Sequence, residues 1–346
     1  MKKYLELKEE LKKIIDEHEP YAMLPSISQT VQKYNVSDIT VRRAYGELER
    51  EGLVFIHHGK GTFVAPKVKE FKEVCCLYRD LEFMEFIPQK HFDLTILYQL
   101  NLKLKEENIE FNLSIYNFNE EIERFVLSRM PSKNLYGVVL FYSGYTKSIP
   151  YYSRVNDVIS NTVFVDRYID NLYCNYVGSE NYICAKDMAK EALKEDYDRI
   201  YVFCHEYFII SASVERIKGF TDAINEMGLS DKCVYFSHEN VEYEDFLDNI
   251  NKVIKKDIKQ NKIKKAAIFG VNAYIVALYK ELPLLQELKS CKIVCFEEPY
   301  LPLYDNTTCI WAEQNFDEIT NATVDILKKN AKEKTRVMIP CMKHYL

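Results

Sequence analysis

At 346 residues and 40.8 kDa, the chain is long enough for two or three domains and a sizeable core. Ten glycines, ten prolines, 47% apolar and 28% charged residues exclude collagen-like and low-complexity architectures. The balance of 46 basic against 52 acidic residues, net −6, excludes a uniformly basic nucleic-acid coat. The ten cysteines are scattered and form no C-x-x-C, which argues against a disulfide scaffold. The start, MKKYLELKEELKK, is charged every few residues and has no apolar core, unlike a signal peptide. The longest weakly polar run, Ala266 to Tyr279, is 14 residues and too short to span a bilayer. Together these features lead to the expectation of a cytoplasmic protein with reduced thiols.

Charge is unevenly spread. Residues 26–67 carry six Lys/Arg against four Asp/Glu, whereas the chain as a whole is acidic. Residues 4–16 predict an amphipathic helix, with Tyr4, Leu7, Leu11, Ile14 and Ile15 on one face. Ser26 with Gln29 three residues on is a capping box that starts a second helix running to about Tyr34. Asn35-Val36 makes a turn and Ser37 caps a third helix, which presents Val41, Ala44, Tyr45 and Leu48 to a core. Gly52 ends it as the residue beyond the cap. LVFI, the His57-His58-Gly59-Lys60-Gly61 turn and TFV then predict a two-stranded hairpin. Three helices and a hairpin of these lengths predict a winged helix-turn-helix over residues 1–65, followed by a Pro66-containing linker over 66–72.

The third helix suits DNA. Its N-terminal residues would face base edges, and Arg42 and Arg43 lie one turn in, where guanidinium groups reach phosphate or guanine. Gly59 and Gly61 let the hairpin tip approach the backbone closely. The alternative is that these charges are a solvated helix face, but the ordered series of cap, turn, helix and glycine wing argues against it. The stretch resembles the GntR family of bacterial transcription regulators through LPS at 24–26, V-S-x-x-T-V-R-R-A at 36–44, L-x-x-E-G-L-V at 48–54 and G-K-G-T-F-V at 59–64. The resemblance implies operator contact by Ser37, Thr40 and Arg42 on the helix and by His58, Gly59 and Lys60 on the wing. Ser26, Ser28, Asp38 and Arg43 complete the DNA-facing set. The family usually has Glu-Arg where this chain has Ile27-Ser28, and Arg where it has Asp38. Two fewer cations weaken the phosphate contribution and alter the sequence read.

From residue 73 the pattern alternates strand and helix. Strands are predicted at 73–78, 111–117, 136–142, 162–166, 199–204, 233–236, 266–270 and 292–296. Helices are predicted at 91–107, 119–130, 180–195, 213–227, 243–260 and 272–281. Repeated β-α units predict a mostly parallel, doubly wound α/β sheet. The order of motifs resembles the effector domain of LacI-type repressors, which is like the periplasmic sugar-binding proteins. The carriers are Val165-Asp166-Arg167, Glu180-Asn181-Tyr182-Ile183-Cys184-Ala185, Glu215-Arg216-Ile217-Lys218-Gly219-Phe220, Phe269-Gly270-Val271-Asn272-Ala273, Val294-Cys295-Phe296-Glu297-Glu298 and Thr307-Thr308-Cys309-Ile310. This implies a two-lobed domain over 73–346 that binds an effector and dimerises.

Ligands of doubly wound sheets bind beyond the carboxyl ends of strands. Arg79, Tyr142, Asp166, His238, Asn272 and Glu297 fall at or just after predicted strand ends, and Arg216 lies in the first turns of a helix facing the same crevice. Carboxylates, Arg/Asn donors and an aromatic face are what a hydroxyl-rich ligand requires. Plain structural alternatives exist. Arg216 can pair with Glu215, Asn272 can cap the next helix, Asp166 can be a turn residue, Tyr142 can be core, and Arg79 and His238 rest on position alone. No phosphate-loop, nucleophile-elbow or zinc-protease motif occurs, so no cofactor, metal or catalytic residue is expected. The expectation is a homodimeric, sugar-responsive repressor that binds double-stranded operator DNA without contacting a membrane. The alternative is a sugar-active enzyme that retains a DNA-binding head.

Overall fold

The computed structural model describes residues 3–57, 59–66, 72–79, 92–116, 119–132, 135–204, 210–237, 243–299, 301–329 and 333–346. The chain divides into two units, Met1–Phe71 and Lys72–Leu346. Most of the linker expected over 66–72 lies outside the described residues.

The N-terminal unit is a winged helix-turn-helix. It contains α1 (Lys3–Glu17), α2 (Ile27–Tyr34), α3 (Asp38–Arg50) and an antiparallel hairpin of β1 (Val54–His57) and β2 (Gly61–Val64). The capping box at Ser26 forms: its Oγ accepts from the Gln29 amide, and the Gln29 side chain accepts from the Ser26 amide. Asn35, at φ 49°, turns the chain out of α2, and Ser37 accepts from the Thr40 amide to start α3. Leu7, Leu11 and Ile15 of α1 bury against Val41, Ala44, Tyr45 and Leu48 of α3 and against Val54 and Val64 of the wing. The Tyr45 hydroxyl donates to the Pro25 carbonyl at 2.6 Å, which fixes α3 to the entrance of α2.

The end of α3 is closed by backbone alone. Leu53 N–H donates to the Leu48 carbonyl and Gly52 N–H to the Glu49 carbonyl, with Gly52 at φ 71°. These are the bonds of a Schellman motif, and they aim the chain into β1.

The C-terminal unit begins with β3 (Lys72–Arg79), α4 (Phe92–Glu106), β4 (Ile109–Tyr116), α5 (Glu120–Arg129), β5 (Gly137–Leu140), α6 (Ile149–Val158), β6 (Thr162–Val165) and β7 (Asn175–Ser179). The chain then crosses to a second lobe: α7 (Asn181–Ala192), β8 (Arg199–Cys204), α8 (Ser211–Glu226), β9 (Cys233–Ser237), α9 (Tyr243–Lys259), β10 (Lys265–Gly270), α10 (Tyr274–Lys280), β11 (Ser290–Phe296) and β12 (Thr307–Glu313). It returns through α11 (Phe316–Lys329) and β13 (Arg336–Ile339) and ends in β14 (Met342–Tyr345). The first sheet runs β13-β7-β6-β5-β3-β4 and is parallel throughout. The second runs β14-β12-β11-β10-β8-β9 and is parallel except for β14. Each sheet is covered on both faces by apolar clusters, as buried parallel strands require.

Three chain crossings join the lobes, at Ser179–Asn181, Glu313–Phe316 and Ile339–Met342. The sequence reading has no helix between its strands at 136–142 and 162–166, where α6 lies. Only Tyr152, Val155 and Asn156 of α6 are buried, an apolar stripe too narrow to stand out in the sequence. The strand expected to reach 142 stops at Leu140, which leaves Tyr142 in the loop beyond it. The sole tryptophan, Trp311, stacks on His344 of β14 at 5.3 Å within the second lobe. Cys291 and Cys295 are buried free thiols in β11.

Two glycines of the head predict opposite outcomes. A Cβ at Gly52 meets nothing within 4 Å, so Gly52→Ala suffers only the positive-φ penalty. It should reduce the stability of α3, read by amide hydrogen exchange, by about 1–2 kcal/mol. Gly46, mid-helix and equally open, should give slower exchange as Gly46→Ala, by about 0.5–1 kcal/mol.

Candidate DNA interface and ligand crevice

In the head, the exposed first turn of α3 carries much of the expected DNA-facing set. Ser37 Oγ and Thr40 Oγ1 share a 2.8 Å hydrogen bond. Arg42 Nε donates to Asp38 Oδ1 at 2.6 Å, and its Nη2 reaches Oδ2 at 3.4 Å. The carboxylate of Asp38 is therefore neutralised within the same turn. Arg43 is directed elsewhere: its guanidinium lies 4.1 Å from the Tyr4 ring centroid on α1. Arg42 and Arg43 thus do not act as one basic pair. Ser26 Oγ and Ser28 Oγ are 3.1 Å apart at the start of α2. On the wing, Gly59 is at φ 80° and Lys60 N–H donates to the His57 carbonyl at 2.9 Å, leaving the Lys60 side chain exposed. His58 lies outside the described residues.

In the second unit, the two lobes place the candidate residues at equivalent positions. Asp166 follows β6 and Glu297 follows β11, each the third strand in its sheet order. Both adopt left-handed backbone, at φ 63° and 68°. Tyr142 stands two residues past β5 and Asn272 two residues past β10, each the fourth strand. The side chain of Arg79 and the whole of His238 lie outside the described residues.

Arg216 is the centre of the second lobe's rim. Gly219 creates its setting: a Cβ there would sit 2.5 Å from the Tyr182 carbonyl oxygen, so only glycine lets α8 lie this close to α7. That approach brings Arg216 Nε to Asn181 Oδ1 at 2.8 Å. Nη1 donates to the Val271 carbonyl at 2.8 Å and lies 3.6 Å from a Glu297 carboxylate oxygen. The guanidinium also lies 4.0 Å from the Phe296 ring centroid. With 6% of its surface exposed, Arg216 is a buried charge held by two hydrogen bonds and the nearby carboxylate of Glu297. Its partner is Glu297, not the adjacent Glu215. Beside it lies a small, mostly apolar pocket, walled by Phe203, Phe246, Ile275 and Leu278, with Val271 and Asn272 at its edge. Asn272 also accepts from the Tyr274 amide at 3.2 Å, so it serves as a cap while lining the pocket.

Asp166 belongs to a different node. It accepts from Arg167 Nε at 3.2 Å and from the amide of Gln314 at 3.3 Å; that amide also donates to Ser179 Oγ at 2.9 Å. Gln314 and Ser179 lie at two of the three lobe crossings. Tyr142 packs edge-on to Tyr152 at 5.4 Å in the first lobe, and burial pushes its hydroxyl up to about 12. Direct lobe-to-lobe contact comes from Tyr168, whose amide donates to Ser211 Oγ at 3.0 Å and whose hydroxyl donates to Glu215 Oε1 at 2.8 Å. Burial, then Glu215, pushes the Tyr168 hydroxyl up to about 12, so it remains a donor. Burial raises Glu215 above the usual carboxyl range, opposed by the hydrogen bond from Tyr168.

Sequence reasoning passed over Asn181, Phe296, Tyr168 and Gln314. The first two sit inside motifs quoted for the LacI resemblance. Tyr168 and Gln314 are marked only by their places just beyond β6 and β12. Among the described residues, no three His, Cys, Asp or Glu side chains gather as a metal site.

Residues 3–64 match the family of bacterial regulatory proteins designated gntR. The chain is 40% identical over 92 residues to the uncharacterized HTH-type transcriptional regulator YurK of Bacillus subtilis (strain 168), covering 25% of this chain and 36% of that one. It is 24% identical over 217 residues to the arabinose metabolism transcriptional repressor of Halalkalibacterium halodurans, covering 61% of this chain and 57% of that one. The chain thus spans less than two thirds of the length of either relative. Among solved structures, the transcriptional regulator CelR in complex with cellobiose is similar at a TM-score of 0.60, with 14% identity and 90% of each chain covered. A helix-turn-helix head joined to a two-lobed parallel-sheet body defines the class. The head matches the gntR family over residues 3–64, and the body shares its fold with solved transcriptional regulators of the LacI type.

Glu215 gives a pH prediction. A carboxyl raised by folding favours the native state at low pH, and that advantage is lost as the pH rises through its folded value. Glu215→Gln removes this titration and can still accept from Tyr168. The melting temperature of the variant should therefore gain on that of the wild type as the pH rises from about 4 to about 7. Parallel thermal unfolding series would show it.

Proposed function

We propose that this protein is a ligand-responsive transcription regulator, a repressor of a sugar-utilisation operon. Its operator binding is modulated by a small sugar or sugar derivative held between the lobes of the second unit. The observation that carries the reading is the pairing, on one chain, of a DNA-reading head with a two-lobed body whose lobes meet at three chain crossings. Matched relatives bear the names of regulators, one of arabinose metabolism, which favours regulation over sugar-active catalysis.

The proposed operator contacts are Ser37, Thr40 and Arg42 of α3 with Gly59, His58 and Lys60 of the wing, supported by Ser26, Ser28, Asp38 and Arg43. The proposed effector contacts are Arg216, Asn272 and Glu297 on one lobe and Asp166 and Tyr142 on the other, with Arg79 and His238 retained from the sequence. Closure of the lobes on an effector would act on Tyr168, Glu215 and Gln314, the groups that already bridge them. A ligand weakens DNA binding only through its differential affinity for the two states, typically ~1–3 kcal/mol, or 5–150-fold.

The test is operator affinity. Purified full-length protein should bind DNA upstream of its own gene. One member of a monosaccharide panel should change that affinity by about 5–150-fold and be recovered unaltered. Unchanged affinity across the panel would sink the regulatory reading, and turnover of a bound sugar would favour an enzyme.

Two heads on a pseudo-palindromic site require a homodimer. Leu94, Tyr98 and Leu102 support one: they lie at i, i+4 and i+8 on α4 and are 40%, 64% and 44% exposed. Such a stripe fits the same stripe on a second copy. Tyr98→Glu should shift the protein from dimer to monomer in sedimentation velocity at micromolar concentration. Among the described residues no helix is long and apolar enough to cross a membrane, which fits action in the cytoplasm.

A further inference from the structure

We infer that Ile39 reads the methyl group of a thymine in the major groove and so helps determine which operator sequence the head selects. The inference rests on the DNA-binding reading above and deepens it. Ile39 lies in the first turn of α3 and is 78% exposed, more than any other large apolar side chain among the described residues. The buried face of α3 is set by Val41, Ala44, Tyr45 and Leu48, and Ile39 projects away from it. Its removal would therefore leave the head's core intact.

The neighbouring polar groups of that turn are engaged with one another. Ser37 is bonded to Thr40 at 2.8 Å, and Asp38 is clamped by Arg42 at 2.6 Å. The turn therefore presents a branched hydrocarbon flanked by an internally paired polar rim. A phosphate has no use for such a surface. On the floor of the major groove the thymine C5-methyl is the apolar feature that distinguishes one base edge from the rest. The N-terminal residues of a recognition helix are the ones that approach base edges. A β-branched residue in a helix has few rotamers, so Ile39 can present its methyl groups with little loss of freedom. The Asp38–Arg42 pair also lowers the repulsion that an uncompensated carboxylate would meet near phosphate.

The experiment uses the full chain. Binding sites are first selected from a random duplex pool. Each enriched thymine is then replaced by deoxyuridine, which keeps the pairing and removes only the methyl group. Deoxyuridine at one thymine of a single half-site should weaken the wild type about fourfold, the amount expected for one buried methyl-sized group. Ile39→Ala should bind the thymine site more weakly, respond equally to thymine and deoxyuridine there, and lose its preference at that position in a repeated selection. Circular dichroism of the variant should be unchanged. Wild-type indifference to deoxyuridine at every position would overturn the inference, as would an Ile39→Ala variant that still discriminates as the wild type does. Both results would leave DNA binding standing. A selection that enriches no sequence would instead remove the DNA-reading function, and the role of Ile39 with it.

Discussion

A guanidinium sealed from water must have its charge and its donors met, and Arg216 is where this chain meets that demand. Its partners come from four places: Asn181 of α7, the Val271 carbonyl after β10, the ring of Phe296 in β11 and the carboxylate of Glu297 beyond it. One side chain thus holds two helices and two strand ends in register at the carboxyl edge of the sheet. Gly219 is the permissive half of the arrangement, because its missing Cβ lets α8 press onto α7. The Arg-x-x-Gly spacing seen in the sequence is therefore one device: the glycine sets the distance and the arginine uses it.

The two lobes solve the same geometric problem with different chemistry. At the third strand of each, an acidic residue turns the chain through the left-handed region, a conformation uncommon for non-glycine residues. Asp166 is tied to the crossings through Gln314, whereas Glu297 is tied to the rim through Arg216. The Glu297 side chain reaches back to within 3.6 Å of the Arg216 guanidinium. One acid thus belongs to the lobe crossings and the other to the crevice wall.

Much of this was legible in the sequence, and the remainder was not for physical reasons. The head could be read almost entirely because its signals are local: a cap at Ser26, a cap at Ser37, a left-handed glycine at position 52 and an i, i+3, i+4, i+7 core face on α3. Eight of the body's strands could be read because buried parallel strands are short apolar runs, whereas those at 175–179, 307–313, 336–339 and 342–345, richer in polar residues or at sheet edges, were not. The helix at 149–158 could not, since it buries so little. Arg216, Asn272, Glu297 and Asp166 could be placed as candidates from position and motif, because strand ends can be located in one dimension. The partners that give them meaning could not be. That Arg216 chooses Glu297 over Glu215, that Arg43 turns to Tyr4, and that Gln314 spans Asp166 and Ser179 all depend on residues 39 to 148 positions apart in the chain. Side-chain choice among such distant alternatives is a property of packing.

The crossing at Ile339–Met342 has a consequence for biosynthesis. β13 completes the first sheet and β14 the second, so each lobe receives an edge strand from residues 336–345. Neither sheet can be finished while the ribosome still holds that stretch. The nascent protein carries two unsealed sheet margins until residues 336–345 emerge, and both then close together.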